Sequence, residues 1–296
     1  MNAIETLKNL TFGTELEYTG ITRQRDALAI QSVLCGTVAS NGGAYGEWAV
    51  TAPDGRKWKA VSDGSLGDSN NSAEVVTPIL RYADMETLQA VVRALRAAGA
   101  KATSATSQHV HVGAAQFTPK QLANLARIFY KQEALILASA GTTEQRLSHY
   151  TKRTDAAFIA RLEATKPTTL DALNRAWFNG HNPNPAHYES HRYHALNLNN
   201  IWRTGTVEFR LFEGTTHAGE VKANIVLCLA IAAKALLARS ASAKQPRTLN
   251  TASAKYDFRV FMLGLGLIGE EFKNVRKHLL KRLTGDAAWK RQTRAA

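Results

Sequence analysis

Four separated segments of this 296-residue chain carry carboxylate, imidazole and guanidinium groups at strand spacing. In Thr11–Thr19 (TFGTELEYT), an extended backbone would send alternate side chains to opposite faces. Phe12, Thr14, Leu16 and Tyr18 then share one face, and Gly13, Glu15, Glu17 and Thr19 the other. Glu15 and Glu17 would lie about 6–7 Å apart. Like charges at that separation raise each other's pKa unless a cation neutralises them, and a divalent metal is the obvious one. Taken alone, the stretch also reads as a half-buried strand with a solvated acidic face. Ser72–Leu80 (SAEVVTPIL) repeats the pattern with Glu74 as its one charge. In Ser107–Gly113 (SQHVHVG), Val110 and Val112 oppose His109 and His111; in Thr204–Phe212 (TGTVEFRLF), Val207, Phe209 and Leu211 oppose Glu208, Arg210 and Phe212. Carboxylates with imidazole suit Mg²⁺ or Mn²⁺ bridging phosphate oxygens. Arg192 and Arg210 would add bidentate phosphate contacts. Together these are parts for phosphoryl transfer without a P-loop, with metal clamping a nucleotide and arginine stabilising the group in transfer. Plainer readings stand beside them: a same-face ion pair for Glu208 and Arg210, and hydrogen bonding within the sheet for the two histidines.

The elements that must position these groups follow from the pattern. Thr22–Leu34 has helical character, and Asn41–Gly46 is a glycine-rich link. Glu47–Ala52 and Arg56–Val61 read as a hairpin turning at Pro53-Asp54-Gly55, with Trp48 and Trp58 paired across it. Asp63-Gly64-Ser65 makes a second turn. Asp84 is placed to cap a helix ending near Gly99, and Thr118-Pro119-Lys120-Gln121 starts a helix running to about Ala140 and stopping at Gly141. The region that follows is polar, and Thr168–Phe178 is helical. His181–His191 is loop-like; its histidines and the next one (181, 187, 191, 194) suggest a metal cluster, with an active-site lid or plain surface loop favoured by their irregular spacing. Arg192–Asn199 and Thr204–Phe212 read as adjacent strands, His217–Arg239 as an apolar core helix, and Ser240–Ala254 as a linker. Strand-rich segments interleaved with helices, together with hairpins, predict an α+β fold: an antiparallel sheet with helices packed on one side.

Composition narrows the class. Lysine and arginine number 37 against 24 acidic residues, a net charge of +13. Such a field favours anionic partners without choosing among them. Residues from Ser240 onward hold 12 basic and 4 acidic side chains; the body before them holds 25 and 20. Cys35 and Cys228 are the only cysteines, which excludes a zinc-knuckle spacing or a disulfide framework and fits a reducing compartment. The N-terminus lacks a signal-peptide core, and the longest apolar run, Ile225–Ala233, is far short of the ~20 residues a membrane span needs, so the expectation is a soluble cytoplasmic protein. Gly264-Leu265-Gly266-Leu267-Ile268-Gly269 matches a dinucleotide fingerprint, but the tail after it is basic and too short for a βαβ unit. An apolar helix with small residues is the better reading there, and no Walker A sequence occurs.

FGTELEY, the tryptophan hairpin leading to DGSL, SAEVVTPIL, HVHVG, RYHALNLN and GTVEFRLFEGT, in that order over roughly residues 10–240, resemble the putative amidoligase family of the glutamine synthetase and glutamate–cysteine ligase superfamily. The resemblance implies a glutamine synthetase-like antiparallel half-barrel. It divides the chain into a catalytic domain over 1–240 and a basic, mainly helical extension over 241–296, packed on it or tethered to it. It also implies an ATP-dependent carboxylate–amine ligase working through an acyl phosphate, with ATP and Mg²⁺ (or Mn²⁺) as cofactors. Carried over by residue, Glu15, Glu17, Glu74, His109 and Glu208 would be metal ligands and His111 a ligand or nucleotide contact. Arg192 and Arg210 would hold phosphates and the transition state. Asp63, with Ser65, would orient the amine or substrate; turn chemistry alone is the other reading of that tripeptide. Expected partners are ATP, a carboxylate and an amine, the last possibly on a peptide, a cell-wall component or a nucleic acid; no membrane is expected, and an oligomer is open by analogy. Two other functions compete. A metal-dependent hydrolase would use the His-x-His pair and predicts tight zinc without ATP, but leaves Arg192 and Arg210 no role. A basic nucleic-acid-binding protein would follow from the charge alone, with steep salt dependence.

Overall fold

Nine strands pair into one open, antiparallel sheet in the computed structural model, which describes residues 2–68, 70–242 and 246–290. They are β1 (Thr11–Thr19), β2 (Thr37–Gly42), β3 (Glu47–Thr51), β4 (Lys57–Val61), β5 (Ser72–Val76), β6 (Leu80–Arg81), β7 (Ser107–Gly113), β8 (Leu196–Asn197) and β9 (Thr206–Glu213). Their order is β2-β3-β4-β5-β1-β7-β9-β8, with β6 paired to the start of β1. The strand met first in the sequence analysis, β1, is therefore central. It lies between β5 and β7, with Glu17 opposite Glu74 and Glu15 opposite His109. Across β7, His111 faces Glu208 of β9, and Glu208 faces Asn197 of β8.

Alternation divides the sheet by chemistry. Phe12, Leu16 and Tyr18 of β1, Val110 and Val112 of β7, and Val207 and Phe209 of β9 are buried on one face. The helices are α1 (Ala3–Asn9), α2 (Arg23–Leu34), α3 (Met85–Ala97), α4 (Pro119–Ala140), α5 (Glu144–His149), α6 (Ala156–Thr165), α7 (Leu170–Phe178), α8 (Ala218–Leu237), α9 (Ala254–Gly264) and α10 (Lys273–Leu280). Helix α2 lies against β2–β5, α8 against β7 and α4 against β9. Phe129 of α4 meets Phe209 edge-on at 6.0 Å between ring centroids. Helix α8 is apolar nearly all round because it is surrounded: the sheet lies on one side and α1, α3, α4 and α10 on the others. Phe258, Met262, Phe272, Val275 and Leu279 of the C-terminal region join the same core. Among the described residues, no helix is long and apolar enough to cross a membrane.

Local chemistry explains several boundaries. Thr118 accepts from the Gln121 N–H while the Gln121 side chain accepts from Thr118 N–H, and Pro119 opens α4 where its missing donor is harmless. Gly141 ends that helix at φ 76°, a conformation costly for any residue with a Cβ. One buried carboxyl lacks any such account. Asp26, in the first turn of α2, is fully buried, and neither oxygen accepts a hydrogen bond; burial lifts its pKa from 3.8 to about 8.

The structure corrects several expectations. Trp48 and Trp58 are not directly opposed: Trp48 pairs with Ala60 and Trp58 with Val50, so only the diagonal is shared. Asp84 does not cap α3 through its side chain; it accepts from the Arg81 N–H and from Arg56 instead. Edge strand β2 precedes the glycine link, and the polar region after Gly141 contains α5 and α6. The supposed strand Arg192–Asn199 is a strand only at Leu196–Asn197, and Ser190–Arg192 is a 3₁₀ turn. Gly264 closes α9, and Leu265–Gly269 form the turn after it, with Gly266 at φ 90°, rather than a continuous helix.

Candidate active site

The face of the sheet turned away from the helices gathers the acidic and imidazole groups. Glu15 lies at the centre. Its Oε2 accepts from His109 Nδ1 at 2.9 Å, and its Oε1 lies 3.2 Å from His111 Nε2. Glu208, at the base, has Oε1 3.7 Å from His109 Nδ1 and 3.8 Å from His111 Nε2. One carboxylate oxygen, one imidazole nitrogen and a second carboxylate oxygen from Glu15, His111 and Glu208 all fall within 4.8 Å of one another. That is the spacing of donors around a single cation.

The surrounding residues fix these groups. Arg210 Nη1 donates to Glu208 Oε1 at 2.5 Å, while Asn197 and Asn200 donate to Glu208 Oε2 at 2.6 and 2.8 Å. Glu208 is 1% exposed and Arg210 6%, so each is the other's counter-charge away from water. His109 has both nitrogens engaged: Nδ1 with Glu15, and Nε2 with the Ser107 hydroxyl at 3.1 Å. His111 Nδ1 meets Thr206 Oγ1 at 3.2 Å, and its buried Nε2, 3.2 Å from Glu15 Oε1, makes an ion-pair contact there but no aligned hydrogen bond. Of the two histidines, His111 is therefore the one with a free donor atom facing Glu15 and Glu208.

The electrostatics follow. Burial pushes the Glu15 carboxyl up, but the His111 charge and the close contacts of both histidines outweigh it and hold it well below the carboxylate range. Burial likewise opposes Glu208, and Arg210 with His111 overcomes it. Burial pulls His111 down, and the Glu15 and Glu208 carboxylates reverse the sign, so it is raised. Glu74 goes the other way: burial first, then the Glu15, Asp63 and Glu17 charges, drive it well above its usual value. Four like groups crowd one place, and one of them must hold a proton. A set of oxygen donors with one imidazole, so charged, fits a hard divalent cation better than a zinc thiolate site.

The other residues named from the sequence fall at the rim. Glu17 lies one step along β1, with Oε2 accepting from the Ser107 N–H at 2.7 Å. Asp63 caps a 3₁₀ turn, accepting from the Ser65 N–H at 2.6 Å, within electrostatic reach of Glu74. Arg192 is not on a strand beside Arg210. Its guanidinium donates to the His187 carbonyl at 3.0 Å and stacks over Tyr188 and Tyr193. His187 stands between, pulled down by burial and by Arg192 and Arg203 but also sensing Glu15 and Glu208. The neighbouring Tyr188 hydroxyl meets that of Tyr45, from the turn between β2 and β3. The loop holding His181–His191 is thus tied by Tyr188 to the turn between β2 and β3. Its histidines form no metal group among the described residues: His181 pairs with Asp171, His191 with Glu189, and His194 Nδ1 contacts the His191 carbonyl.

Two contributors escaped the sequence reading. Arg146 of α5 donates to the Arg210 carbonyl at 3.2 Å and feels the Glu17 charge, while its buried Nε has no partner. Asn200 lies in the 3₁₀ turn Asn199–Ile201, where no pattern in the sequence marks it as a partner of Glu208. A signal for the first exists in Thr143, which caps α5 by accepting from the Arg146 N–H.

A family model described as putative amidoligase enzyme matches residues 8–232. A crystal structure of a bifunctional glutathione synthetase from Pasteurella multocida is similar over 93% of this chain at 12% identity, with a TM-score of 0.45. The chain spans 47% of that protein, and so distant a likeness bears no further weight. Among curated proteins no match is found.

Proposed function

From the premise that the chain belongs to the putative amidoligase enzyme family, we propose that this ligase joins a carboxylate to an amine at the expense of ATP. The observation that carries the reading is the convergence of Glu15, His111 and Glu208 on one face of the sheet, with Arg210 locked behind them. Glu15, Glu208 and His111 would hold Mg²⁺, with Glu17 and Glu74 supplying further oxygens. The ion, when bound, would neutralise phosphate charge and polarise the transferring group. His109 positions Glu15 rather than acting as a ligand, because both its nitrogens are in use. The resemblance made His109 a ligand and His111 a ligand or nucleotide contact; in this reading His111 takes the ligand place and His109 supports Glu15.

In the proposed reaction the substrate carboxylate attacks the γ-phosphorus of ATP, giving an acyl phosphate and ADP. The amine then attacks the acyl carbon, expelling phosphate and losing a proton to give the amide. Arg210 holds Glu208 in its ionised form. Arg192 and His187 would receive phosphate oxygens, a role supported by the electrostatic influence of Glu15, Glu208 and Arg192 on His187. Asp63, whose charge acts on Glu74, would orient the amine. A zinc hydrolase would have no use for so many oxygen donors or for a buried arginine among them.

The test is ADP release across a panel of carboxylic acids and amines with Mg²⁺. Release that needs one acid and one amine together supports a ligase. Zinc-dependent hydrolysis without ATP would overturn it.

A further inference from the structure

A second cluster of donor atoms lies outside this site, where the C-terminal region meets α8. His217 caps α8, Glu220 follows one turn later on the same face, and His278 comes from α10, which lies beyond the residues matched by the family. One donor atom from each falls within 4.8 Å of the others, and the two imidazole rings are 4.8 Å apart between centroids. The rings are tilted by 56°, so they do not stack.

We propose that His217, Glu220 and His278 form a binding site for a borderline divalent ion such as Zn²⁺, tying α10 to the first turn of α8. Two imidazoles and one carboxylate with a position left open is a donor set that Zn²⁺ accepts. The space for it depends on Gly219. A Cβ there would stand 2.6 Å from His278 Nε2 and 3.0 Å from His217 Cε1, so any other residue would push between the rings.

Three existing contacts engage these donor groups. Lys281 Nζ lies 2.5 Å from Glu220 Oε1, and Thr215 Oγ1 donates to Glu220 Oε2 at 3.3 Å. His217 Nδ1 accepts from the Gly219 N–H at 3.1 Å. An arriving cation displaces the ammonium of Lys281 and either takes the Nδ1 lone pair or binds at Nε2 after the ring changes tautomer. Lys281 is thus a built-in competitor, which gives the idea a sign that a chance grouping would not share.

The experiment is Co²⁺ and Zn²⁺ titration of the metal-stripped full chain, reading bound metal per chain by equilibrium dialysis and the visible Co²⁺ spectrum. Four variants accompany the wild type: Glu15→Ala, His278→Ala, Gly219→Ala and Lys281→Gln. The expected result is loss of one equivalent and of the imidazole-type Co²⁺ band in His278→Ala, their retention in Glu15→Ala, weaker binding in Gly219→Ala, and tighter binding in Lys281→Gln. The last is an increase in affinity, which misfolding cannot mimic. A wild-type stoichiometry and spectrum in His278→Ala, or an unchanged affinity in Lys281→Gln, would overturn the proposal.

Discussion

Replacing Asp26 by Asn should remove a pH dependence of stability that the wild type carries. In the folded chain this carboxyl is buried without a hydrogen bond and titrates at about 8 rather than 3.8. Between those two values the folded state holds a proton that the unfolded state has released. Stability therefore falls as pH rises through that window, by ~1.4 kcal/mol per pH unit, and levels off above about 8. From pH 5 to pH 7 the loss is ~2.7 kcal/mol, a large share of a typical domain's ~5–15 kcal/mol. Asparagine cannot ionise, so the difference in unfolding free energy, variant minus wild type, should climb by that amount over the same range. Its absolute offset does not matter, because a buried amide carries its own pH-independent cost. Urea denaturation of both proteins at pH 5, 6 and 7 measures it, and other titrating groups cancel in the difference. A difference flat to within ~0.5 kcal/mol would show that the Asp26 carboxyl is hydrated or paired, and the reasoning from burial would be wrong.

Glu15→Ala should lower substrate-dependent ADP release by at least ~100-fold while leaving the circular dichroism spectrum intact; undiminished release would remove Glu15 from the site. Glu208→Ala should cost ~3–5 kcal/mol in urea, because it strands a buried arginine, and adding Arg210→Met should recover much of that loss without restoring activity. Mg²⁺ at millimolar concentration should raise the melting temperature of the wild type and not of Glu15→Ala, since an ion bound only by the folded form stabilises it by mass action. Equal shifts in the two proteins would place the ion elsewhere.

What the sequence disclosed was what alternation and capping control. The strands holding Glu15, Glu74, His109 and Glu208 have simple period-two patterns with an apolar face, and they pair as such. Helix α4 was bounded correctly because Thr118, Gln121 and Gly141 make their own local bonds. The failures come where tertiary packing decides. Edge strand β2 is mostly exposed, so TVASNG shows no apolar face. Helix α5 is six mostly polar residues with none buried, and α6 is ten residues that put only Phe158, Ile159 and Leu162 into the core, so neither shows a long apolar stripe. RYHALNLN alternates like a strand, yet Arg192 closes a 3₁₀ turn capped by Glu189 and its guanidinium is stacked on tyrosines, leaving only Leu196–Asn197 to pair. The preference for His111 over His109 as a donor could not be read from the pattern, because it depends on Ser107, a residue two places before His109 on the same strand.

The sheet has a further consequence for the energetics of the acidic face. Glu15, Glu17, Glu74 and Glu208 are mounted on β1, β5 and β9, strands bound to one another through their backbones, and cannot drift apart to relieve their mutual repulsion. Folding therefore assembles these groups before any ligand arrives, with Arg210 and the two histidines offsetting part of the repulsion and Glu74 driven toward its neutral form. A cation bound there would relieve the remaining repulsion without moving the scaffold, so its affinity would reflect what the folded chain already holds back.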